Sequence, residues 1–399
     1  MSASIETFDV VVVGGGPAGA TAAGELAGLG RNVLLLDRAG RIKPCGGAIP
    51  PRLIRDFAIP DHLIVARAQA ARMVSPSARA VDMPIEGGYV GMVDREDFDE
   101  WLRQRAARAG AVRRTGDFTR IERDESGEAI VHYAQKGDAK DATRRVRARM
   151  IVGADGARSE VARQSIKGGG RTKCVFAYHE IIESPTGDAS GFDGRRCDVH
   201  YNGDLSPDFY SWIFPHGATA SVGVGSAQKG FSLRGAVKAL RARSGLEGCA
   251  TVRREGAPIP LKPLARWDNG RDVLLAGDAC GVVAPASGEG IYYAMECGRI
   301  AAESVDRALG ANDARELADA RKRFMKAHGR VFWILGIMQH FWYRNDKRRE
   351  RFVTMCDDAD VQKLTWEAYM NKELVRADPG AHMRIFMKDM GHLLGMSPT

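Results

Sequence analysis

Three glycines that follow an apolar run have the spacing of a dinucleotide-binding turn. The run occupies residues 10–13, and Gly14, Gly16 and Gly19 come next, with Ala18 at the start of a helix-like stretch. The first glycine permits a tight turn, the second lets a pyrophosphate approach the backbone, and the third lets helix and strand pack closely. The unpaired N–H groups at the start of the helix would bind the phosphates.

A carboxylate suited to the same ligand stands after the next apolar run. Residues 33–36 are apolar and lead into Asp37, which is placed to accept hydrogen bonds from an adenosine ribose. A strand, a glycine turn, a helix, a second strand and an acid, in this order, predict a Rossmann-like α/β domain. This pattern does not say which dinucleotide binds.

Two later motifs of glycine and aspartate favour a flavin dinucleotide. The first is the Asp-Gly pair at residues 155–156, and the second is the Gly-Asp pair at residues 277–278. A carboxylate such as Asp278 can bind the ribitol hydroxyls of a flavin. The amides of Gly290 and Ile291, which open a helix-like stretch, can hold electron density on the pyrimidine edge of the flavin. A motif of this kind, taken alone, is more often an ordinary turn.

In this order, the three motifs resemble the FAD-dependent group that includes aromatic hydroxylases, flavin halogenases and geranylgeranyl reductases. The resemblance to the geranylgeranyl reductases is closer and spans nearly the whole chain. Residues 43–47, Lys-Pro-Cys-Gly-Gly, resemble that family's loop after the second strand. Tyr210-x-Trp212-x-Phe214-Pro, followed after seven residues by Gly-x-Gly, is similar to its isoprenoid signature. Val-Asp-Arg at residues 93–95 is similar to its flavin-contacting helix entry.

Two C-terminal segments, residues 332–337 and 364–369, resemble the subgroup that serves chlorophyll and bacteriochlorophyll synthesis. The resemblance implies an oxidoreductase that acts on CH–CH groups with FAD and NADPH as cofactors. It implies stepwise reduction of three C=C bonds of a geranylgeranyl chain to phytyl. The implied partners are an isoprenoid-tailed pigment such as (bacterio)chlorophyll, or geranylgeranyl diphosphate, together with enzymes of photosynthetic pigment synthesis. An archaeal-type membrane lipid fits the C-terminal segments less well.

The same resemblance supplies further candidate site residues. Cys45 is the candidate catalytic residue, as proton donor or as a contact to the flavin edge, although most free cysteines are small buried apolar residues. Tyr210, Trp212 and Phe214 alternate along a predicted strand, so they would face one side and form either a wall for the isoprenoid tail or sheet core. The cofactor contacts that the resemblance implies are Cys45, Gly46, Ala48 and Arg95.

The hydrophobic pattern predicts interleaved domains rather than serial ones. We expect a Rossmann-like, aromatic-hydroxylase-like FAD-binding domain, an antiparallel-sheet substrate domain and a helical C-terminal region. The predicted FAD-binding domain consists of residues 1–68, 92–170 and 263–310. The predicted substrate domain consists of residues 69–91 and 171–262, and the helical region of residues 311–399.

Composition excludes several classes of protein. The chain has 399 residues and a formal net charge of +8, but no motif for nucleic-acid binding, so we predict no nucleic-acid partner. Its seven cysteines are dispersed and odd in number, with no Cys-x-x-Cys, so we predict neither a disulfide framework nor a metal site. The first apolar run is the Rossmann strand, and no basic segment precedes it, so we expect no signal peptide and a cytoplasmic location.

One segment indicates peripheral contact with an anionic membrane, such as the inner or photosynthetic membrane. Residues 331–343 are apolar and aromatic, and a basic cluster at residues 347–351 follows. Thirteen residues are too few to span a bilayer, which needs about 20. The segment is expected to lie in the membrane interface, to cover a lipid tunnel, or to form a buried helix with a solvated charged end.

Two rival functions remain open from the sequence. The first is an FAD-dependent halogenase or aromatic monooxygenase, because halogenases carry a Trp-x-Trp-x-Ile-Pro signature that resembles residues 210–215. Here the first Trp is Tyr and the Ile is Phe. The second is a flavin-bearing membrane subunit that passes electrons to a partner and has no turnover of its own.

Overall fold

The computed structural model describes residues 5–38, 42–135, 143–185 and 191–372. The strands are β1 Thr7–Val13, β2 Val33–Asp37, β3 Ala48–Ile49, β4 Ile64–Ala68, β5 Ala70–Val74, β6 Ala80–Pro84, β7 Val90–Val93, β8 Val112–Thr115, β9 Asp117–Arg123, β10 Ala129–Ala134, β11 Arg144–Gly153, β12 Cys174–Glu183, β13 Arg196–His200, β14 Ser211–His216, β15 Thr219–Ser226, β16 Thr251–Pro260 and β17 Val273–Leu275. The helices are α1 Pro17–Gly28, α2 Pro51–Asp56, α3 Arg95–Arg108, α4 Glu160–Ser165, α5 Leu233–Arg243, α6 Ile291–Ala311, α7 Leu317–Trp342, α8 Asp346–Met355 and α9 Ala359–Asn371. Short 3₁₀ helices lie at Asp61–Leu63, Gly277–Cys280 and Ala314–Glu316.

The chain divides into two compact units, and each is built from separate stretches of sequence. The first unit contains Met1–Cys45, Asp94–Ala177 and Gly256–Met338, and the second contains Gly46–Val93, Tyr178–Glu255 and Gln339–Thr399. This division differs from the predicted boundaries, because residues 46–68 group with the second unit and residues 311–338 with the first. Within the second unit, β3 and β4 both pair with β7, and this pairing accounts for the grouping of residues 46–68.

The sheet of the first unit has the strand order β8-β2-β1-β11-β10-β9, with β17 also paired to β11. The pairs β1/β2, β1/β11 and β11/β17 are parallel, whereas β11/β10 and β10/β9 are antiparallel. The apolar residues of β1 and β2 are almost fully buried, as expected of parallel strands that are covered on both faces. The predicted Rossmann-like α/β arrangement is confirmed.

Two helices of the first unit begin where their local sequence predicts. Pro17 occupies the first turn of α1, where its fixed φ suits a helix and its missing N–H costs no hydrogen bond. Asp94 caps α3, because its carboxylate accepts a hydrogen bond of 3.0 Å from the Glu96 N–H. Helix α1 packs against α3 and α6, so the helix that follows the first glycine turn is covered by two other helices.

The main sheet of the second unit has the order β16-β12-β15-β14-β13-β5-β6. The pairs β13/β14, β14/β15 and β5/β6 are antiparallel, as predicted, but β5 and β13 pair in parallel. These two strands come from distant stretches of the chain, so no hairpin sets their relative direction. One face of this sheet packs against α5 through Ile213, Val222 and Leu240.

His200 at the end of β13 provides a pH-dependent test of this sheet. Burial, with a smaller effect of the Arg243 charge, lowers the pKa of His200 from 6.5 to about 4. The buried Nε2 atom has no hydrogen-bond partner among the residues that the structure describes. Between pH 6.5 and about 4 the unfolded chain therefore binds a proton that the folded chain does not.

We expect the free energy of unfolding to decrease as the pH falls through this interval, and His200→Gln to make that decrease shallower. Urea denaturation at a series of pH values measures both. An unchanged slope in the variant would contradict the assignment to His200.

The C-terminal region is helical over the residues that the structure describes, from α7 to the end of α9 at Asn371. Residues 373–399 of the predicted helical region lie outside the described part. Within the described ranges, no helix combines the length and the apolar composition that crossing a bilayer requires.

Candidate functional site

The turn between β1 and α1 requires glycine at two of the predicted positions. Gly14 has a φ of +104°, and a Cβ at this position would lie 2.4 Å from the carbonyl oxygen of Ala154. A Cβ at Gly19 would lie 1.8 Å from the carbonyl oxygen of Gly14. The two glycines therefore allow the turn to pass close to β11 and the helix to pack onto the turn.

Gly16 differs from Gly14 and Gly19, because a side chain at this position would point into open space rather than into neighbouring atoms. A Cβ there would meet no atom within 4 Å among the residues that the structure describes, and its φ of −74° is open to any residue. Gly16 is the N-cap of α1, and as a glycine it has no side chain that could occupy the N–H groups of the first turn. The first-turn N–H groups at Ala18 and Gly19 thus border an open space that fits a pyrophosphate.

Asp37 stands at the end of β2, next to the same turn. Arg103 of α3 places Nη1 3.3 Å from Asp37 Oδ2 and 3.4 Å from the Gly15 carbonyl oxygen. The missing Cβ of Gly15 would lie 2.6 Å from Asp37 Oδ2, so the carboxylate reaches the glycine turn. No sequence pattern indicated Arg103, which is visible in the sequence only as a basic residue two turns beyond Arg95.

Asp278 and the start of α6 form a second cluster in the first unit. Asp278 lies in the 3₁₀ helix that follows β17, and its side chain is only 7% exposed. Lys43 Nζ donates to Asp278 Oδ2 at 2.6 Å. The missing Cβ of Gly290, the N-cap of α6, would lie 3.8 Å from Asp278 Oδ1, and α6 begins at Ile291. The structure brings these predicted residues together and adds Lys43 as the counter-ion.

Cys45 shares its surroundings with a buried ion pair. Arg95 donates twice to Asp99, from Nε at 2.9 Å and from Nη2 at 2.7 Å, and both side chains are less than a tenth exposed. The Arg95 guanidinium also interacts with the Cys45 side chain. Burial opposes the charged form of Arg95, but Asp99 and Cys45 raise the pKa of Arg95 above its ordinary value. The sequence did not indicate that Asp99 pairs with Arg95, although the two residues have i,i+4 spacing.

The Asp-Gly motif at residues 155–156 has a structural role in this fold. The Asp155 carboxylate accepts hydrogen bonds from Ser159 Oγ at 2.5 Å, from the Glu160 N–H at 2.7 Å and from the Val161 N–H at 3.1 Å. It therefore binds the N-terminus of α4. Burial raises the pKa of Asp155 above its usual value against these hydrogen bonds.

The predicted aromatic residues lie side by side in the second unit. The ring centroids of Tyr210 and Trp212 are 6.0 Å apart, and those of Trp212 and Phe214 are 6.2 Å apart. Trp212 is 5% exposed and lies over Gly223, where a Cβ would approach the indole to 2.2 Å. The aromatic row, Tyr210, Trp212 and Phe214, therefore needs the glycine of the neighbouring strand. Phe209 stacks on Tyr210 at 4.3 Å, an extension that no sequence pattern indicated.

The glycine loop that begins at Gly46 reaches this row within the second unit. A Cβ on Gly46 would lie 3.0 Å from the Phe214 ring. Gly47 has a φ of +71°, and a Cβ there would lie 2.4 Å from the Val93 carbonyl oxygen. Ala48 then begins β3, opposite Met92 of β7. Close packing around both positions therefore leaves little room for a side chain at Gly46 or Gly47.

Comparison with known proteins agrees with this geometry. A family model described as an FAD binding domain matches residues 7–172. The geranylgeranyl diphosphate reductase of Rhodobacter capsulatus is 55% identical over 391 residues, which cover 98% of this chain and 98% of that protein.

Two solved structures share the fold. A geranylgeranyl bacteriochlorophyll reductase-like protein from Thermoplasma acidophilum has a TM-score of 0.80 at 22% identity, covering 95% of this chain and 100% of that one. A flavin-dependent brominase has a TM-score of 0.73 at 17% identity, covering 98% and 100%. At these identities the two likenesses show the fold alone, which reductases and halogenases have in common.

The open space at Gly16, the free start of α1 and the buried carboxylate of Asp278 fit the pyrophosphate and ribitol of FAD. FAD is the cofactor that the matched domain binds. From its identity with the Rhodobacter capsulatus protein over nearly the full length of both, the chain belongs to the geranylgeranyl diphosphate reductase family.

Proposed function

We propose that this protein reduces carbon–carbon double bonds of a geranylgeranyl chain, with FAD as its bound cofactor and NADPH as the electron donor. The observation that carries the proposal is the 55% identity, over 98% of both chains, to a protein named geranylgeranyl diphosphate reductase. The aromatic row supports it, because adjacent aromatic rings provide the apolar surface that an isoprenoid tail needs.

The residues of this chain would hold the double bond next to the flavin and donate a proton to one of its carbons. When bound and reduced by NADPH, the flavin would supply a hydride to one carbon of the double bond. An unactivated alkene then needs a proton at the other carbon, in a site that excludes water. We propose Cys45 as the proton donor or as a contact to the flavin edge, with Arg95 interacting with its side chain. Tyr210, Trp212 and Phe214 would bind the tail.

The substrate in this proposal is geranylgeranylated (bacterio)chlorophyll or free geranylgeranyl diphosphate. Reduction would proceed stepwise over three double bonds to the phytyl chain, in contact with enzymes of photosynthetic pigment synthesis. The two substrates share the isoprenoid tail and differ in the head group, so one assay with both distinguishes them.

The test is anaerobic incubation of the purified flavoprotein with NADPH and each substrate in detergent, followed by mass spectrometry. We expect products that are heavier than the substrate by two, four and six hydrogens, appearing in that order. An unchanged chain on both substrates while NADPH bleaches the flavin would contradict the proposed reduction. A second outcome is that NADPH leaves the flavin oxidised, whereas dithionite reduces it and the substrate is then reduced. This outcome would contradict NADPH as the electron donor but not the reduction of the chain.

We further propose that α7 contacts an anionic membrane surface from the cytoplasmic side. Trp333 is 67% exposed and Ile337 is 49% exposed, one helical turn apart. Arg330 and Lys326 are exposed one and two turns before Trp333 on the same helix. Tryptophan beside cations is typical of segments that lie in a membrane interface, and the net charge of +8 favours anionic lipids.

The double variant Trp333→Ser and Ile337→Ser is expected to weaken binding to phosphatidylglycerol vesicles by about tenfold, because it removes two apolar contacts. Co-sedimentation with vesicles measures the loss. Leu29→Ser, which alters another exposed apolar residue, should bind as the parent does. Equal binding by all three proteins would contradict a contact through α7.

A further inference from the structure

Four side chains form a continuous line across one face of the main sheet in the second unit. They come from neighbouring strands in the order β16, β12, β15 and β14, and they are Glu255, His179, Ser221 and Trp212. His179 Nε2 lies 3.0 Å from Glu255 Oε2, and His179 Nδ1 lies 2.9 Å from Ser221 Oγ. Trp212 Nε1 donates to Ser221 Oγ at 3.1 Å. All four side chains are buried or nearly so.

One arrangement of protons satisfies every hydrogen bond of this line. The indole N–H can only donate, so Ser221 Oγ must accept from Trp212. In the tautomer in which His179 accepts at Nδ1, the Ser221 hydroxyl donates to that atom and His179 Nε2–H donates to the Glu255 carboxylate. The other oxygen of that carboxylate pairs with Arg253. Each bond thus points from the indole towards the carboxylate, and neighbouring bonds in such a line strengthen one another.

The line resembles a Ser-His-acid triad, but the position of Ser221 does not suit a nucleophile. Ser221 is 0% exposed, and its oxygen already receives the Trp212 N–H. No reactant could approach that oxygen without displacing the indole. The hydrogen bonds instead fix the Trp212 indole, which is the one member of the line that belongs to the aromatic row.

The position of Trp212 shows what the line fixes. Gly223 leaves room for both the Trp212 and His179 side chains, because a Cβ there would lie 2.2 Å from the indole and 2.7 Å from His179 Cβ. On the other side, the place of a Cβ on Gly46 is 3.9 Å from Trp212 Nε1. A half-turn of the indole about its Cβ–Cγ bond would carry Nε1 away from Ser221 and leave a buried N–H without its acceptor.

We propose that Glu255, His179 and Ser221 are positioning residues, which hold the Trp212 indole in one orientation so that the aromatic row can bind the isoprenoid chain. The role in binding rests on the proposed function, whereas the orientation of the indole does not. The tail would then meet a wall of fixed shape, which sets how far the chain can slide between successive reductions.

The first experiment observes the indole itself and needs no substrate. The holoprotein is labelled with nitrogen-15 tryptophan, which gives one indole signal for each of the six tryptophans, and Trp212→Phe identifies the signal of Trp212. Ser221→Ala and His179→Leu are expected to shift this signal and to accelerate exchange of its proton with water. His179→Gln, whose amide can both accept and donate, should restore part of the parent signal.

The control is Ser226→Ala, on the same strand β15. Ser226 is also buried, and its hydroxyl donates to Asp208 Oδ1 at 2.7 Å and accepts from the Gln228 N–H at 3.0 Å, apart from the line. It should leave the Trp212 signal in place. A Trp212 signal unmoved by both Ser221→Ala and His179→Leu would overturn the proposal, whatever the enzyme does with substrate.

The second experiment measures turnover with the substrate that the parent protein reduces. Ser221→Ala is expected to raise KM for the isoprenoid about five- to tenfold with a smaller change in kcat, and to release more partly reduced product. In the Trp212→Phe background, Ser221→Ala should add almost nothing, because the donor is already gone. Fully additive effects, or a loss of kcat alone, would overturn the positioning role. A parent protein without turnover would count against the proposed function and leave the result on the indole standing.

Discussion

Replacing Gly16 by valine is expected to remove FAD from the protein and to leave the folded chain intact. A Cβ at Gly16 meets nothing within 4 Å in the described part of the chain, and the local φ and ψ suit any residue. The space that the side chain would fill lies at the free start of α1, where the pyrophosphate must approach the backbone. Because two or more charge-assisted hydrogen bonds of about 1.5–3 kcal/mol each would be lost, we expect the FAD affinity to fall by at least about a hundredfold.

The measurement combines the flavin absorbance of the purified variant with thermal unfolding of the apoprotein. Gly28→Val is the matched control, since a Cβ at Gly28, at the far end of the same helix, also meets open space. It should retain FAD. A Gly16→Val protein that keeps the parent's flavin content would contradict the assignment of the pyrophosphate to this turn.

Replacing Gly14 is expected to affect folding rather than FAD binding. Comparing it with Gly16 therefore distinguishes a glycine that the fold requires from one that the cofactor requires. A side chain there would be strained by the φ of +104° and would lie 2.4 Å from the Ala154 carbonyl oxygen. Gly14→Val should therefore destabilise the apoprotein itself, whereas Gly16→Val should act only when FAD is present.

Asp99→Asn is expected to lower the free energy of unfolding by about 3–5 kcal/mol. Asp99 and Arg95 form a bidentate ion pair with side chains only 7% and 4% exposed. Removing the carboxylate charge leaves the guanidinium buried without its counter-ion, which is the costly way to break such a pair. Chemical denaturation of the apoprotein measures the loss, and reaction of Cys45 with iodoacetamide reports whether the displaced guanidinium alters the thiol.

The matched control for this prediction is Asp56→Asn. Arg52 and Asp56 have the same i,i+4 spacing, with Nε and Oδ2 3.0 Å apart, but their side chains are 24% and 33% exposed. More exposed pairs of this kind contribute about 0–1 kcal/mol. The double replacement of Arg95 by Met and Asp99 by Leu should recover much of the lost stability, because no charge is then buried. If Asp99→Asn cost no more than Asp56→Asn, the pair would not stabilise the fold.

Local sequence predicted the parts of the FAD-binding domain whose physics is local. The apolar strand, Gly14, Gly16 and the acid Asp37 all lie within residues 10–37, so their types and order were sufficient. The start of α3 could also be predicted from the sequence, because its cap Asp94 accepts a hydrogen bond from a backbone N–H only two residues away. The alternation of Tyr210, Trp212 and Phe214 placed the three rings on one side of the chain for the same reason.

The partners of these residues could not be predicted, because they are distant in sequence. Lys43 meets Asp278 across 235 positions, and Arg103 meets Asp37 across 66. The division of residues 46–68 and 311–338 between the two units likewise follows from packing rather than from any change in composition.

The sequence by itself determined that this chain has a Rossmann-like dinucleotide-binding domain and a row of aromatic residues, because strand, turn and alternation are properties of neighbouring residues. Only the tertiary structure decided which groups hold those residues in place. His179 is 42 positions from Ser221 and 76 positions from Glu255. The three residues meet Trp212 because β16, β12, β15 and β14 lie side by side. The order and register of strands depend on the whole packed sheet, and no short stretch of sequence contains that information.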